Sequence, residues 1–220
     1  MTNSTKLQHE VQEELEWEPS VDASHIGVAA TQPGVVTLTG TVVTYEEKVS
    51  AEKASKRVSG VRAVVNDIEV RPVGSMRRTD TDLAQGVLRA LEWDIAVPHE
   101  KITARVDNGW VILEGEVALH FQRAAAENAV RRLSGVRGVT NQIQLEIRPL
   151  AQPAEVKNRI QAAFRRSAEI DARGIQVDAK DSTIILRGKV RTWAEREEAE
   201  RAAWGAPGVL AVKDELIVGK

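Results

Sequence analysis

The chain has 220 residues, with 30 Lys and Arg against 32 Asp and Glu, which gives a formal net charge of −2. This balance excludes a strongly basic nucleic-acid binder of the kind that charge alone reveals. The absence of cysteine excludes disulfides, zinc–thiolate sites, iron–sulfur clusters and cysteine nucleophiles.

No apolar run approaches the roughly 18 residues that a membrane span needs. The N-terminus, as written, lacks the basic stretch and apolar core of a secretory signal. We therefore expect a cytoplasmic protein, or a periplasmic one if a leader has been trimmed from this sequence.

Three landmarks recur at fixed offsets. A Leu-x-Gly-x-Val segment is centred on Gly40, Gly115 and Gly188. A Gly-Val pair follows each of them, at Gly60, Gly135 and Gly208. Beyond each pair stand Asn66, Asn141 and Asp214. The chain is therefore three copies of one unit, with expected boundaries at 1–72, 79–149 and 152–220.

Each copy begins with a predicted helix whose apolar residues recur four apart and share one face. These residues are Leu7, Val11 and Leu15; Leu83, Val87 and Leu91; and Val156, Ile160 and Phe164. Two short segments with apolar residues at alternate positions follow, joined by turn residues, which predicts a β-hairpin.

A second helix with an inner alanine stripe comes next, predicted over Thr44–Ser59, Leu119–Ser134 and Trp193–Ala206. The Gly-Val pair ends this helix, and a last alternating strand closes the unit. The predicted fold class is α+β, with three tandem αββαβ units. Each unit has a three-stranded mixed sheet covered on one face by two helices. We interpret the six repeated glycines as structural, the central ones turning a strand into a helix.

This order of elements and motifs resembles the BON domain of bacterial osmotically inducible and nodulation proteins. The resemblance covers nearly the whole chain and includes the alanine stripe and the Val-x-Asn start of the last strand, at Val64 and Val139. The third copy departs from it with Asp214. The resemblance implies an αββαβ fold without catalytic residues, an association with envelope stress, and phospholipid binding.

Catalytic and ligand motifs are lacking in the sequence. It has no dinucleotide or nucleotide-binding loop, and its four histidines do not recur at equivalent positions. The segment from Gly135 to Gly138 has the form of an RNA-clamping loop, but it joins a helix to a strand rather than two helices. We expect no enzyme, no cofactor, no metal and no nucleic-acid partner. Paired carboxylates such as Glu46 and Glu47 are interpreted as solvated.

Five apolar side chains are candidate contact residues. Trp17 and Trp93 occupy equivalent positions, where each ring either caps the helix-to-strand corner or is an exposed anchor for a membrane interface or a partner. Trp110, Ile112 and Ile185 are predicted on the uncovered sheet face. Packing between copies or between molecules is favoured there over ligand binding.

Positive charge concentrates in the third copy, since residues 151–220 carry 13 basic and 11 acidic residues. The candidate residues for an anionic surface are Arg165, Arg166, Arg187, Lys189 and Arg191. They form either an ordinary solvated surface or a patch for anionic phospholipid headgroups or an acidic partner.

Three functions remain open. The first is a non-enzymatic, stress-related binding module that contacts anionic phospholipid or protein partners. The second is a protein–protein scaffold or self-assembling repeat protein. The third is a sensor of a small ligand or an ion.

Overall fold

The computed structural model describes residues 3–74, 78–147 and 153–219. It shows the predicted α+β fold, with three repeated helix–strand–strand–helix–strand units. The predicted boundaries at residues 1, 149, 152 and 220 lie outside the described residues. The chain divides into two compact parts, Met1–Leu145 with the first two copies and Glu146–Lys220 with the third.

The first copy contains α1 (Asn3–Trp17), β1 (Ile26–Thr31), β2 (Val35–Val42), α2 (Tyr45–Arg57) and β3 (Ala63–Val70). The second copy contains α3 (Asp80–Trp93), β4 (Ile102–Asp107), β5 (Trp110–Val117), α4 (His120–Arg131), β6 (Gly138–Asn141) and β7 (Gln144–Leu145). The third copy contains α5 (Pro153–Arg166), β8 (Ile175–Lys180), β9 (Thr183–Val190), α6 (Trp193–Trp204) and β10 (Ala211–Val218).

Each sheet is mixed. In the first copy β2 is central, pairing antiparallel with β1 and parallel with β3, and the third copy repeats this around β9. In the second copy β5 is central, and β6 and β7 share the place of the last strand, both parallel to β5. A helix therefore connects the two parallel strands in every copy.

Each copy has its own hydrophobic core between the helices and one face of the sheet. The predicted stripes of the first helices are all buried. The second helices bury small residues, which lets them lie close to the sheet; they are Ala51 and Ala54, Ala126, and Ala199 and Ala203. The other face of each sheet carries no helix of its own copy, and we call it the open face.

The central glycines lie inside β2, β5 and β9, not at the corner between strand and helix, so the predicted turn at these positions was wrong, although the glycines do adopt unusual dihedral angles. Gly40, Gly115 and Gly188 have φ of 121°, 141° and 127°. A Cβ atom on Gly115 would lie 2.1 Å from the carbonyl oxygen of Lys101. Glycine is therefore required by a left-handed backbone and by the close approach of the chain that enters the first strand.

The first two copies meet at a junction formed by the start of α2 and the end of α4. Glu46 Oε2 lies 2.7 Å from Arg131 Nε, and the two side chains are only 32% and 14% exposed. Tyr45 packs against the cores of both copies. Burial raises the pKa of Tyr45, and the charge of Glu127 in the second copy adds to this. The solvated state predicted for Glu46 is therefore wrong.

Candidate binding surfaces

The tryptophans that end α1 and α3 point into solvent. Trp17 is 82% exposed and Trp93 is 86% exposed, and Ile95 beside Trp93 is fully exposed. The rings therefore do not cap the helix-to-strand corners, and that alternative was wrong.

The surroundings of Trp17 are acidic. A shallow cleft beside it contains Glu14, Glu18 and Arg57. Arg57 donates hydrogen bonds of 2.7 Å to both carboxylates, and its hydrogen bond lowers the pKa of Glu18. One cation thus serves two carboxylates, so the surface around this ring keeps negative charge.

Trp110 lies on the open face of the second copy, and its ring is held in place by a hydrogen bond and by close packing on the sheet. Its Nε1 donates a 2.8 Å hydrogen bond to Thr140 Oγ1, and the ring is 48% exposed. A Cβ atom on Gly138 would lie 2.5 Å from a ring carbon, so the indole lies directly over this glycine. Ile112 is half-buried on the same face.

Sequence reasoning missed the role of Gly138. The other two copies have Ala63 and Ala211 at the start of the last strand, and neither has a tryptophan across from it. The sequence signal for this contact was that the second copy has both a tryptophan at position 110 and a glycine at position 138. The parallel register of β5 and β6 places these two residues side by side.

Carboxylates compensate much of the positive charge on the open face of the third copy. Arg187 lies between Glu215, at 2.7 Å, and Asp178, at 3.0 Å. Glu215 in turn pairs with Lys213 at 2.6 Å. Hydrogen bonding to Glu215 raises the pKa of Arg187. Arg187 is therefore part of an ion-pair network that surrounds the half-buried Ile185.

The neighbouring cations of this strand differ from each other. Arg191 Nε lies 3.4 Å from Glu195, a carboxylate that is only 3% exposed. Lys189 is exposed, and the described residues give it no hydrogen-bond or ion-pair partner. Of the three cations on this strand, only Lys189 has no carboxylate partner within the described residues, so it can bind an external anion without breaking an ion pair.

Arg165 and Arg166 are exposed at the end of α5. Within the described part of the chain neither has a hydrogen-bond or ion-pair partner. Because α5 covers the core face of the sheet, these arginines lie on the opposite side from Arg187 and Lys189. The structure therefore separates the five cations into a helix-end pair and a strand group.

The structure describes histidines, carboxylates and helices across residues 3–74, 78–147 and 153–219. No cluster of three or more His, Asp or Glu with metal-binding geometry occurs among them. No helix of this described region is both long and apolar enough to cross a bilayer. One histidine has an unusual environment: burial, together with the charge of Arg123, lowers the pKa of His120 to about 4.

The model of the BON domain family matches residues 3–72, 79–147 and 154–220. This chain belongs to the BON domain family. It is also similar to osmotically-inducible protein Y of Escherichia coli strain K12, with 30% identity over 129 residues. That match covers 57% of this chain and 64% of the relative, so the chain spans slightly less than two thirds of the relative's length.

Two solved structures of CdsD, a structural protein of the type III secretion system of Chlamydia trachomatis, align with the chain. Their sequence identities are 13% and 14%, and both TM-scores are 0.27. The alignments cover 96% and 97% of this chain and 96% and 92% of those chains.

The second helices of the first and third BON copies share a carboxylate cap that sequence reasoning missed. Glu195 accepts the backbone N–H groups of Asp171 and Arg191 at 2.6 and 2.7 Å. Glu47 accepts those of Asp22 and Val43 in the same way. The Thr-x-x-Glu spacing was the available signal, because it marks a capping box. These carboxylates hold the fold together and are not free to bind a ligand.

The polar residue in the last strand of each BON copy ties that strand to the second helix. Asn141 donates to the carbonyl oxygen of Arg123 at 2.9 Å and to Glu127 at 3.1 Å. In the third copy Asp214 cannot donate, and Arg196 instead donates to it at 2.6 Å. The departure of the third copy from the motif therefore changes the donor but keeps the connection.

Proposed function

We propose that the chain is a non-enzymatic, stress-related BON module whose third copy contacts anionic phospholipid surfaces through the end of α5. The observation that carries this proposal is the pair Arg165 and Arg166. Both are exposed, and within the described residues carboxylates do not compensate them. Both arginines can therefore pair with an anion outside the chain, such as a lipid headgroup.

The strand group contributes less to this contact. Arg187 and Arg191 already have carboxylate partners, and an anionic headgroup would have to displace these. Arginine at a membrane surface contributes about 1 kcal/mol of attraction for each residue near an anionic leaflet. The helix-end pair therefore supplies an attraction of about 2 kcal/mol, which is weak and reversible.

Vesicle co-sedimentation tests this function. The wild-type chain and an Arg165→Glu/Arg166→Glu variant are compared on vesicles with and without phosphatidylglycerol. A matched control, Arg62→Glu/Arg105→Glu, makes the same change in net charge on exposed residues elsewhere. We expect binding only to anionic vesicles, reduced at least tenfold in the helix-end variant and nearly unchanged in the control. Equal loss in both variants would show a non-specific effect of net charge and reject the site.

A protein partner is the second candidate function, and the exposed rings of Trp17 and Trp93 favour it. Trp17 lies beside the carboxylates Glu14 and Glu18, which an anionic membrane would repel. An exposed aromatic ring with acidic neighbours suits a protein groove with a basic rim. Crosslinking in cells from a photoreactive residue at position 17 tests this, with position 62 as the control. Crosslinks of equal yield from both positions would contradict a specific contact.

The stress association rests on the relative's name, osmotically-inducible protein Y. We propose that expression of this chain also rises under high osmolarity. Transcript levels after a salt upshift, compared with an unshifted culture, measure this directly. An unchanged level would remove the stress role without affecting the lipid proposal.

A further inference from the structure

A cleft at the junction of the first two copies brings three arginines together. Arg71 ends the first copy, Arg78 precedes α3, and Arg137 lies in the loop between α4 and β6. Asp80 and Asn108 line the same cleft. Among the described residues, three guanidinium groups and one carboxylate line the cleft, and the pairing of Arg71 with Glu69 offsets part of this positive charge.

The corresponding cleft of the first copy is not basic. The first copy has a cleft at the corresponding place, between the start of α1 and the β1–β2 turn, and its described lining has Lys6 and Glu10 as charged residues. At the junction cleft, Arg71 comes from the end of the first copy, and Arg78 comes from the segment that connects the two copies. The positive site therefore exists because two copies meet there, and one copy alone would not form it.

The carboxylate in the lining has hydrogen-bond donors of its own. Asp80 accepts the backbone N–H groups of Asn108 and Gly109 at 2.7 and 2.9 Å. These two donors stabilise its charge. Asp80 thus holds the turn between β4 and β5, and it does not need an arginine partner.

Two of the arginines are available for an anion. Arg71 pairs with Glu69 at 2.6 Å, but both side chains are more than 60% exposed, and such surface pairs are weak. Arg137 donates from Nε to the carbonyl oxygen of Val70 at 3.4 Å. Within the described residues its two Nη atoms have no further hydrogen-bond partner. A dianion could therefore recruit both side chains at little cost.

We propose that this junction cleft binds a phosphomonoester group. The planar fork of arginine matches two phosphate oxygens at once, and a lining of three arginines attracts a dianion more strongly than a monoanionic carboxylate. The phosphate can belong to a soluble phosphomonoester or to a phosphatidic acid headgroup. Since the arginines come from both copies, the bound phosphate also stabilises their junction. This site is independent of the helix-end arginines of the third copy.

Calorimetric titration of the full chain with glycerol 3-phosphate tests the site. The variant is Arg71→Gln/Arg78→Gln/Arg137→Gln, and the matched control is Arg62→Gln/Arg89→Gln/Arg105→Gln, which removes the same charge from exposed positions. We expect saturable binding to the wild type that weakens at least tenfold in the cleft variant and less than twofold in the control. Binding should also weaken between pH 7.5 and 5.5, because the second pKa of a phosphomonoester is about 6.

Vesicles that contain phosphatidic acid, with phosphatidylglycerol vesicles as the comparison, distinguish the two sources of phosphate. Tenfold loss in the cleft variant with either the soluble ester or phosphatidic acid supports the site and names its source. The absence of saturable binding to both, or equal loss in the cleft and control variants, overturns the proposal. Failure of the helix-end variant in the earlier experiment leaves this result unaffected, because Arg165 and Arg166 are unchanged here.

Discussion

The ion pair between Glu46 and Arg131 should make the first two copies one cooperative unit, and Arg131→Met tests this. The methionine keeps an apolar stem of similar length but removes the charge. Breaking a fully buried ion pair costs about 3 to 5 kcal/mol. Glu46 keeps 32% of its side chain in water, so we expect a smaller loss of about 2 kcal/mol in the free energy of unfolding.

Arg132 provides the matched control for this change. Its Nε lies 3.8 Å from Glu46, and its side chain is 67% exposed, so Arg132→Met should cost less than about 0.5 kcal/mol. A double-mutant cycle of Arg131→Met with Glu46→Gln should give a coupling free energy of at least about 1 kcal/mol.

Native-state hydrogen exchange read by mass spectrometry resolves the copies separately. A loss of about 2 kcal/mol corresponds to exchange about 30-fold faster for the most protected amides. Arg131→Met should accelerate exchange in both of the first two copies and leave the third copy unchanged as an internal reference. Equal effects of Arg131→Met and Arg132→Met, or a coupling near zero, would refute the assignment of this pair as the junction.

Three further predictions concern the second copy. Gly115→Ala should cost at least about 3 kcal/mol of unfolding free energy in urea titration, because its Cβ would overlap a carbonyl oxygen; Gly86→Ala, in open space within α3, should be neutral or slightly stabilising. His120 has a folded pKa of about 4 and an unfolded pKa of about 6.5, so the unfolded state binds its proton first. The contribution of His120 to stability should fall from pH 6.5 to pH 4 and then level off, and His120→Gln should remove this part of the pH dependence, up to about 3 kcal/mol. Asn141→Asp should cost about 2 kcal/mol at pH 7 by thermal unfolding, since it replaces a donor 3.1 Å from Glu127 with a second carboxylate, and the cost should shrink on acidification.

The helices, the strands and the fold class could be predicted because each follows from residues close in sequence. The stripe of Leu83, Val87 and Leu91, for example, needs only the period of one helix, and all three are buried. The α4 prediction ran three residues too long, since the observed helix ends at Arg131. The family resemblance then placed these elements in one known order.

The charged surfaces could not be predicted in the same way. Alternation along β9 places Arg187 on the open face, but its partner Glu215 is fixed by the parallel register with β10. The partner of Glu46 is 85 residues away, on another copy. Side-chain pairs of this kind depend on strand register and on the packing of whole copies, and neither is encoded in a local pattern. The exposure of Trp17 depends likewise on how α1 ends over the sheet.

The residues that form the ion pair between the first two copies are not repeated between the second and third copies. The second copy has Phe121 where the first has Glu46, and the third copy has Trp204 where the second has Arg131. Trp204 instead donates to Glu200 within its own helix at 3.3 Å. Both members of the ion pair are thus replaced together, and this coincides with the division of the chain after Leu145.

The first two copies can therefore act as one structural unit, with the arginine cleft at their junction. The third copy can change its helix-end charge without altering that body, so Arg165→Glu/Arg166→Glu should leave hydrogen exchange in the first two copies unchanged.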